Sequence, residues 1–155
     1  MLTGASGLIG SAVLAQLSAE GHEIVAVTRA HGPVDHRPSA TRWLMMDVAR
    51  ATKPEDWVPD PAGIGAVANG ARGGQDSPYD PTIGVHARGA AALFTACERA
   101  GVRRVVHLSA IGVDRDAPTA FSHSKFEGDK ALMACDLDWV ILRPSVVVGR
   151  PAYGG

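Results

Sequence analysis

An α/β domain on a doubly wound parallel sheet, with helices on both faces in three layers, is the fold class this sequence predicts. Three observations carry that expectation. Short apolar runs alternate with helical stretches along the chain. The runs are hydrophobic almost throughout rather than at every second residue, as strands covered on both faces must be. A glycine-rich turn, Thr3-Gly-x-x-Gly-x-x-Gly, opens the first helix.

The elements follow in order. A very short first strand, Met1 and Leu2, precedes the glycine turn. Strands are then expected at 23–28 (EIVAVT), 42–46 (RWLMM), 64–69, 103–109 (RRVVHLS) and 139–142 (WVIL). Ile9, Val13 and Leu17 share one helical face, and Gly21 follows as a stop. Val85, Gly89, Ala92 and Ala96 make a stripe of small residues ending before Gly101, suited to close packing on a sheet. A third helix is expected over 119–133. Alternation at these lengths defines the α/β class. The stretches 31–41 and 70–81 (GARGGQDSPYDP) carry the glycines and prolines of loops, the second opening onto the ligand edge of the sheet. Nothing marks a linker or a repeat, so residues 1–155 are expected to form one domain.

Composition narrows the partners. A 16.1 kDa chain with 46% hydrophobic and 20% charged residues can bury a good core. A formal charge of −1 and scattered basic residues give no reason to expect nucleic acid or an anionic membrane. No run approaches the roughly 18 apolar residues of a membrane span. No leader pattern opens the chain, and a cytoplasmic location is expected. Cys97 and Cys135 lie in apolar helical stretches, where buried free thiols are expected in a reducing compartment, a disulfide being the alternative that the count allows.

The glycines point to a ligand. Gly4, Gly7 and Gly10 let the chain turn tightly, approach a diphosphate and pack the next helix against the sheet. The helix opening at Leu8 and Ile9 would aim free N–H groups and its positive dipole end at the anion. Thr3 and Ser6 can hold the loop or bond to phosphate. About 20 residues past such a loop, NAD binders place an acid for the ribose 2′-hydroxyl. Thr28-Arg29-Ala30 stands there, with no carboxylate until Asp35. Arg29 suits a 2′-phosphate by charge and by its planar fork, so NADP is favoured over NAD. The plain alternative is a solvent-facing arginine.

These pieces, TGASGLIG, then MMDV, HLSAIG, FSHSK and LRPSVVVG, resemble the short-chain dehydrogenase/reductase superfamily. The likeness is strongest to its extended and atypical branch, which includes NAD-dependent epimerase/dehydratase-like proteins and the NADPH-binding accessory subunit of respiratory complex I. It spans about residues 2–149 and implies a Rossmann-like fold. It also implies that Asp47 and Val48 border the adenine, Asp47 accepting from its amine unless it caps a helix instead. The Asn69-Gly70-Ala71 turn would lie along the cofactor. Arg72 stands where the family has a further glycine, either reaching the phosphates or crowding the site. Leu108 and Ser109 would pass close to the nicotinamide, and Pro144 to Val146 would flank its carboxamide.

The resemblance makes Lys125 and Ser109 the catalytic candidates, Lys125 also holding the nicotinamide ribose. In the family a tyrosine four residues before the lysine moves the proton, because a nearby cation draws its pKa towards neutral. Phe121 occupies that place and has no proton to give. Ala110 and Ile111 follow Ser109 where the family's hydroxyl often lies. His123 is a substitute acid or base, or a surface histidine. The remaining histidines, His22, His31, His36, His86 and His107, show no ligand spacing, and no metal is expected.

Family members begin with a longer strand and continue into a substrate-binding segment. The chain is therefore expected to lack part of the first strand and the C-terminal lobe, or to be a compact variant. Apolar surface left where that lobe docks would favour a homo-oligomer or a larger assembly. Two functions stay open. One is an NAD(P)-dependent oxidoreductase or epimerase acting on an unknown small-molecule carbonyl or sugar nucleotide. The other is a non-catalytic NADPH-binding module that is structural or senses redox state.

Overall fold

The computed structural model of the chain describes residues 1–29, 40–57, 63–72, 82–115 and 119–149. Most of the two expected loops, with His31, Asp35 and His36, lies outside the described residues, as does 150–155. Six strands form one sheet: β1 (Leu2–Thr3), β2 (Ile24–Thr28), β3 (Thr41–Met45), β4 (Ala66–Asn69), β5 (Arg104–Leu108) and β6 (Asp138–Leu142). Their order is β3-β2-β1-β4-β5-β6, every pair parallel. Each expected strand is present within a residue or two of its place. The sheet is the doubly wound, Rossmann-like arrangement, with the chain reversing direction of growth at β1.

β1 is central and short. Leu2 pairs with Ala26 on one side and Ala68 on the other, and Thr3 with Val27 and Asn69. Met1 lengthens the ladder, its amine donating to Ala66 O at 2.8 Å and its carbonyl accepting from Ala68 N at 2.9 Å.

Helix α1 (Leu8–Ala19) lies on one face of the sheet, its Leu14 packed with Leu2, Ala5, Ile24 and Ala26. Gly21, at φ +79, ends it. On the opposite face, α2 (Ala90–Arg99) and α3 (Ala120–Met133) build the larger core. Phe94, Leu93, Cys97 and Leu132 meet Val67 and Val105 of the sheet and Trp57, whose indole donates to Ala51 O at 3.2 Å. Both cysteines are free, Cys97 buried and its thiol pushed up to about 12 by desolvation. Thr119 caps α3, its hydroxyl accepting from Ser122 N at 3.1 Å.

The small-residue stripe does not form one regular helix. Gly84–Gly89 is π-helical and runs straight into α2. The extra residue per turn brings His86 inward. α3 crosses so closely that a Cβ on Gly128 would strike His86 O. Such π segments are rare and collect at functional sites.

Among the described residues the α1 face is covered only in part. Beyond α1 a groove of about 1030 Å³ runs past Ala66, Ala68, Val106, Leu108 and Leu142. Val140 and Leu142 are 43% and 46% exposed, unusual for a parallel strand. No described helix is long and apolar enough to cross a membrane.

Candidate functional site

The site is built at the C-terminal edge of the sheet, starting from the glycine loop. Gly4 takes φ +68, a left-handed backbone that favours glycine. A Cβ there would also run into Gly70 O, and one on Gly10 would run into Gly4 O. The loop therefore lies directly on the start of α1 and on the turn after β4. Gly7 N donates to Gly4 O at 3.0 Å, and Ala5 N ties the loop to Val27 O at 3.3 Å. Gly7 is the N-cap of α1 in extended conformation, with no side-chain cap and no acidic residue in the first turn. The helix thus presents its uncapped positive end, the backbone an anion requires. Ser6 Oγ lies 3.0 Å from Thr28 Oγ1, joining the loop to the end of β2.

A cleft of about 250 Å³ opens above this loop. Its walls are Gly4, Ser6 and Gly7, then Thr28 and Arg29 after β2, 46–48 after β3, and 70–72 after β4. The expected residues Gly4, Ser6, Gly7, Arg29, Asp47, Val48, Gly70 and Ala71 are therefore brought together around one space. Its glycine floor and free helix end fit a diphosphate. Asp47 is half-buried and also shapes its own turn, Oδ1 accepting from Ala49 N at 3.1 Å and Oδ2 pairing with Arg50 at 3.6 Å. Ile9, Gly10 and Leu108 face the larger groove behind the loop. Pro144 holds the turn after β5, accepting from Ile111 N at 3.0 Å, while Val146 is exposed. Neither lines the cleft.

Beneath the cleft runs a chain of polar contacts invisible in the linear sequence. Thr3 Oγ1 donates to Asn69 Oδ1 at 2.6 Å and accepts from Ala71 N at 3.2 Å. That fixes the Asn69 amide, whose nitrogen donates to His107 Nδ1 at 3.1 Å. The proton of His107 is then on Nε2, 3.4 Å from Asp129 Oδ1, with both side chains almost wholly buried. Arg143 donates from Nε to Asp129 Oδ2 at 3.0 Å, its Nη2 pairs with the same oxygen at 3.0 Å, and its Nη1 donates to Asp114 Oδ2 at 2.7 Å. Burial works to raise the Asp129 pKa, but the contacts from His107, Ser109 and Arg143 hold it below the ordinary value. Ser109 Oγ is buried against this carboxylate without a well-formed hydrogen bond. The network buttresses the ends of β1, β4, β5 and β6 at once.

Lys125 sits one helical turn before Asp129, nearly buried, and its Nζ donates to Leu108 O at 2.6 Å. Burial lowers its pKa to about 8, Asp129 opposing the shift and Arg72 adding to it. Phe121, a turn earlier, stacks edge-on against the His86 ring with centroids 5.2 Å apart. His86 Nδ1 is 3.1 Å from Ser124 Oγ, which donates to Phe121 O at 2.9 Å. His123 is exposed and 3.9 Å from Glu127. Sequence reasoning gave His86 and Ser124 no role: the π-helical register at 84–89 leaves no periodic signal for His86, and Ser124 of α3 meets it only through the fold. Asp129 was open to notice, four residues after Lys125 on one helix face.

Desolvation drives the pKa of His86 down to about 3, with nearby Lys125 adding to the effect, and that of His107 also falls, mainly through burial. Both rings are neutral in the fold, whereas the unfolded chain protonates them near pH 6.5. Stability is therefore complete above that pH and falls as pH drops from about 6.5 towards 3. His86 alone gives a slope of about 1.4 kcal/mol per pH unit over much of that range. Melting temperature should fall steadily from pH 7 to pH 4, and less steeply in His86→Gln; a flat profile in the parent chain would contradict the buried neutral rings.

Comparison with known proteins decides the family. A model described as NAD(P)H-binding matches residues 4–154. The chain belongs to this NAD(P)H-binding family. The oxidoreductase ylbE of Lactococcus lactis superposes at a TM-score of 0.75 with 25% identity, over 93% of this chain and 68% of its own. A candidate NAD-dependent epimerase/dehydratase of Bacillus halodurans gives 0.76 and 27%, over 93% and 69%. WbmH of Bordetella bronchiseptica, solved with NAD+, matches in fold at 0.80 with 21% identity, over 99% and 57%. An uncharacterized protein of Mycobacterium tuberculosis is 30% identical over 151 residues, 96% of this chain. The chain spans 15% of the length of that curated relative. Among the described residues of this NAD(P)H-binding domain, no three His, Cys, Asp or Glu side chains gather as metal ligands.

Proposed function

We propose that this domain binds NADP(H) in preference to NAD(H) and serves an oxidoreductase or epimerase-like reaction on a small carbonyl compound or sugar nucleotide. The observation that carries the reading is the glycine floor joined to an uncapped helix end, which leaves backbone N–H groups and a positive dipole facing the cleft. Gly4, Ser6, Gly7 and Gly10 form the diphosphate seat, Arg29 takes the 2′-phosphate, Asp47 and Val48 border the adenine, and Lys125 holds the nicotinamide ribose. The family likeness assigns Ser109, Leu108, Pro144 and Val146 to the reacting end, although Leu108 faces the groove behind the loop and Pro144 and Val146 stand off the cleft walls. The bound nicotinamide supplies hydride transfer; the chain supplies binding and orientation, which alone can promote such a step strongly.

Phe121 favours a second reading. Its ring packs on His86 and offers no exchangeable proton, and His86 is too strongly desolvated to serve as an acid near neutral pH. A binder without turnover fits those two residues. Titration of the full chain with NADPH and NADH, followed by nicotinamide fluorescence, tests the cofactor assignment. NADPH is expected to bind about tenfold or more tightly than NADH, and Arg29→Ala to erase that ratio. Equal affinities in the parent chain would remove the 2′-phosphate role, and absence of both would remove the dinucleotide reading. Turnover of any carbonyl or sugar nucleotide by the parent would remove the binder reading.

A further inference from the structure

Arg72 stands on the turn after β4, two residues past Gly70, the residue whose carbonyl abuts Gly4. The turn is held firmly: Gly70 N donates to Thr3 O and Ala71 N to Thr3 Oγ1, each at 3.2 Å. The arginine stem therefore leaves a fixed backbone on the wall facing Ser6 and Gly7. Its side chain is exposed and forms no ion pair among the described residues. Its charge adds to the downward pKa shifts of His86 and Lys125. Asp47 is the carboxylate on the described cleft walls, and it belongs to the turn after β3, three strands away.

The positive end of α1 and Arg72 thus line one cleft, and among the described residues Asp47, on the far wall, is its carboxylate. Like charges gathered around a concavity repel one another unless a bound anion lies among them. We propose that Arg72 clamps the diphosphate bridge of the dinucleotide, sharing it with the N terminus of α1. The inference rests on the dinucleotide reading above and adds an affinity residue that reading does not contain. Arginine suits the task because its planar fork can give two parallel hydrogen bonds to phosphate oxygens. Its role differs from that of Arg29. Arg29 follows β2, on the other side of β1, and distinguishes NADP from NAD; Arg72 strengthens every ligand that carries the bridge.

The test uses the full chain and its Arg72→Ala and Arg72→Lys variants, titrated with ADP-ribose, NADPH, NADH and 2′-AMP by calorimetry. Arg72→Ala is expected to weaken ADP-ribose, NADPH and NADH about 10- to 100-fold each, leaving the NADPH to NADH ratio and the affinity for 2′-AMP unchanged. Arg72→Lys, which keeps the charge and loses the fork, is expected to fall between. An exposed side chain can be replaced without loss of the fold, and circular dichroism checks this. Unchanged or tighter binding of ADP-ribose by Arg72→Ala would overturn the clamp and make the arginine a bystander or an obstruction. If the parent chain binds none of ADP-ribose, NADPH and NADH, the dinucleotide reading falls and the clamp with it; intact parent binding with an indifferent Arg72→Ala removes the clamp alone.

Discussion

Gly10→Ala is expected to weaken NADPH binding by about 100-fold or more. The new Cβ would run into Gly4 O and come within 3.0 Å of Ala5 Cα, both backbone atoms that no rotamer change can move aside. Either α1 tilts away from the sheet or the glycine loop lifts from its seat, and each displaces the N–H groups that face the cleft. Overpacking against backbone also costs stability, about 1–3 kcal/mol. Gly65→Ala is the matched control, since a Cβ there meets nothing within 4 Å. Fluorescence titration of both variants, per mole of folded protein, makes the comparison. Parent-like NADPH binding by Gly10→Ala would show that the contact between α1 and the loop does not form the seat.

Asp129→Ala should be the most damaging change outside the glycine loop, costing about 3–5 kcal/mol. The carboxylate is completely buried and receives both the Nε and a terminal nitrogen of Arg143, with His107 Nε2 facing its other oxygen. Removing it leaves a guanidinium, 27% exposed at the side chain, with only Asp114 for company, and a buried ring N–H facing a void. Asp129→Asn keeps an acceptor and should lose less. Urea unfolding of the parent and both variants measures the difference. A loss below about 1 kcal/mol in Asp129→Ala would mean that the network contributes little beyond packing. Adding Arg143→Met to Asp129→Ala should recover part of the loss, because the unpaired charge goes with its partner.

Particular elements show how far the sequence could be read. The strands at 24–28, 66–69 and 104–108 were legible because each is an unbroken apolar run, and burial on both faces is what a central parallel strand demands. The glycine loop was legible because positive φ and close backbone approach exclude side chains, leaving a mark of glycines at fixed spacing. Asp47, Val48, Gly70 and Ala71 were placed through family likeness, and they do share the cleft with Arg29 and the loop. The polar chain from Thr3 to Asp114 was not legible. Its members come from four strand ends, a helix and a turn, and nothing local in Thr3, Asn69 or His107 announces a partner dozens of residues away. His86 was hidden for another reason: a π-helical turn shifts the inward-facing register away from the 3.6-residue period by which helices are read.

By itself, the amino-acid order determined the layered α/β class, the position of the glycine loop and the lack of a proton-bearing side chain at Phe121. Those are local properties, written in hydrophobic period, backbone sterics and the identity of one residue. Only the tertiary structure decided that Arg72 shares one cleft with the glycine loop, that Ser124 and His86 pack beside Phe121, and that Asp129 locks the sheet edge beneath the cleft. Parallel strands joined by crossovers bring distant ends of the chain to a common edge, so charges and hydrogen bonds that meet there depend on three-dimensional register rather than on neighbours in sequence.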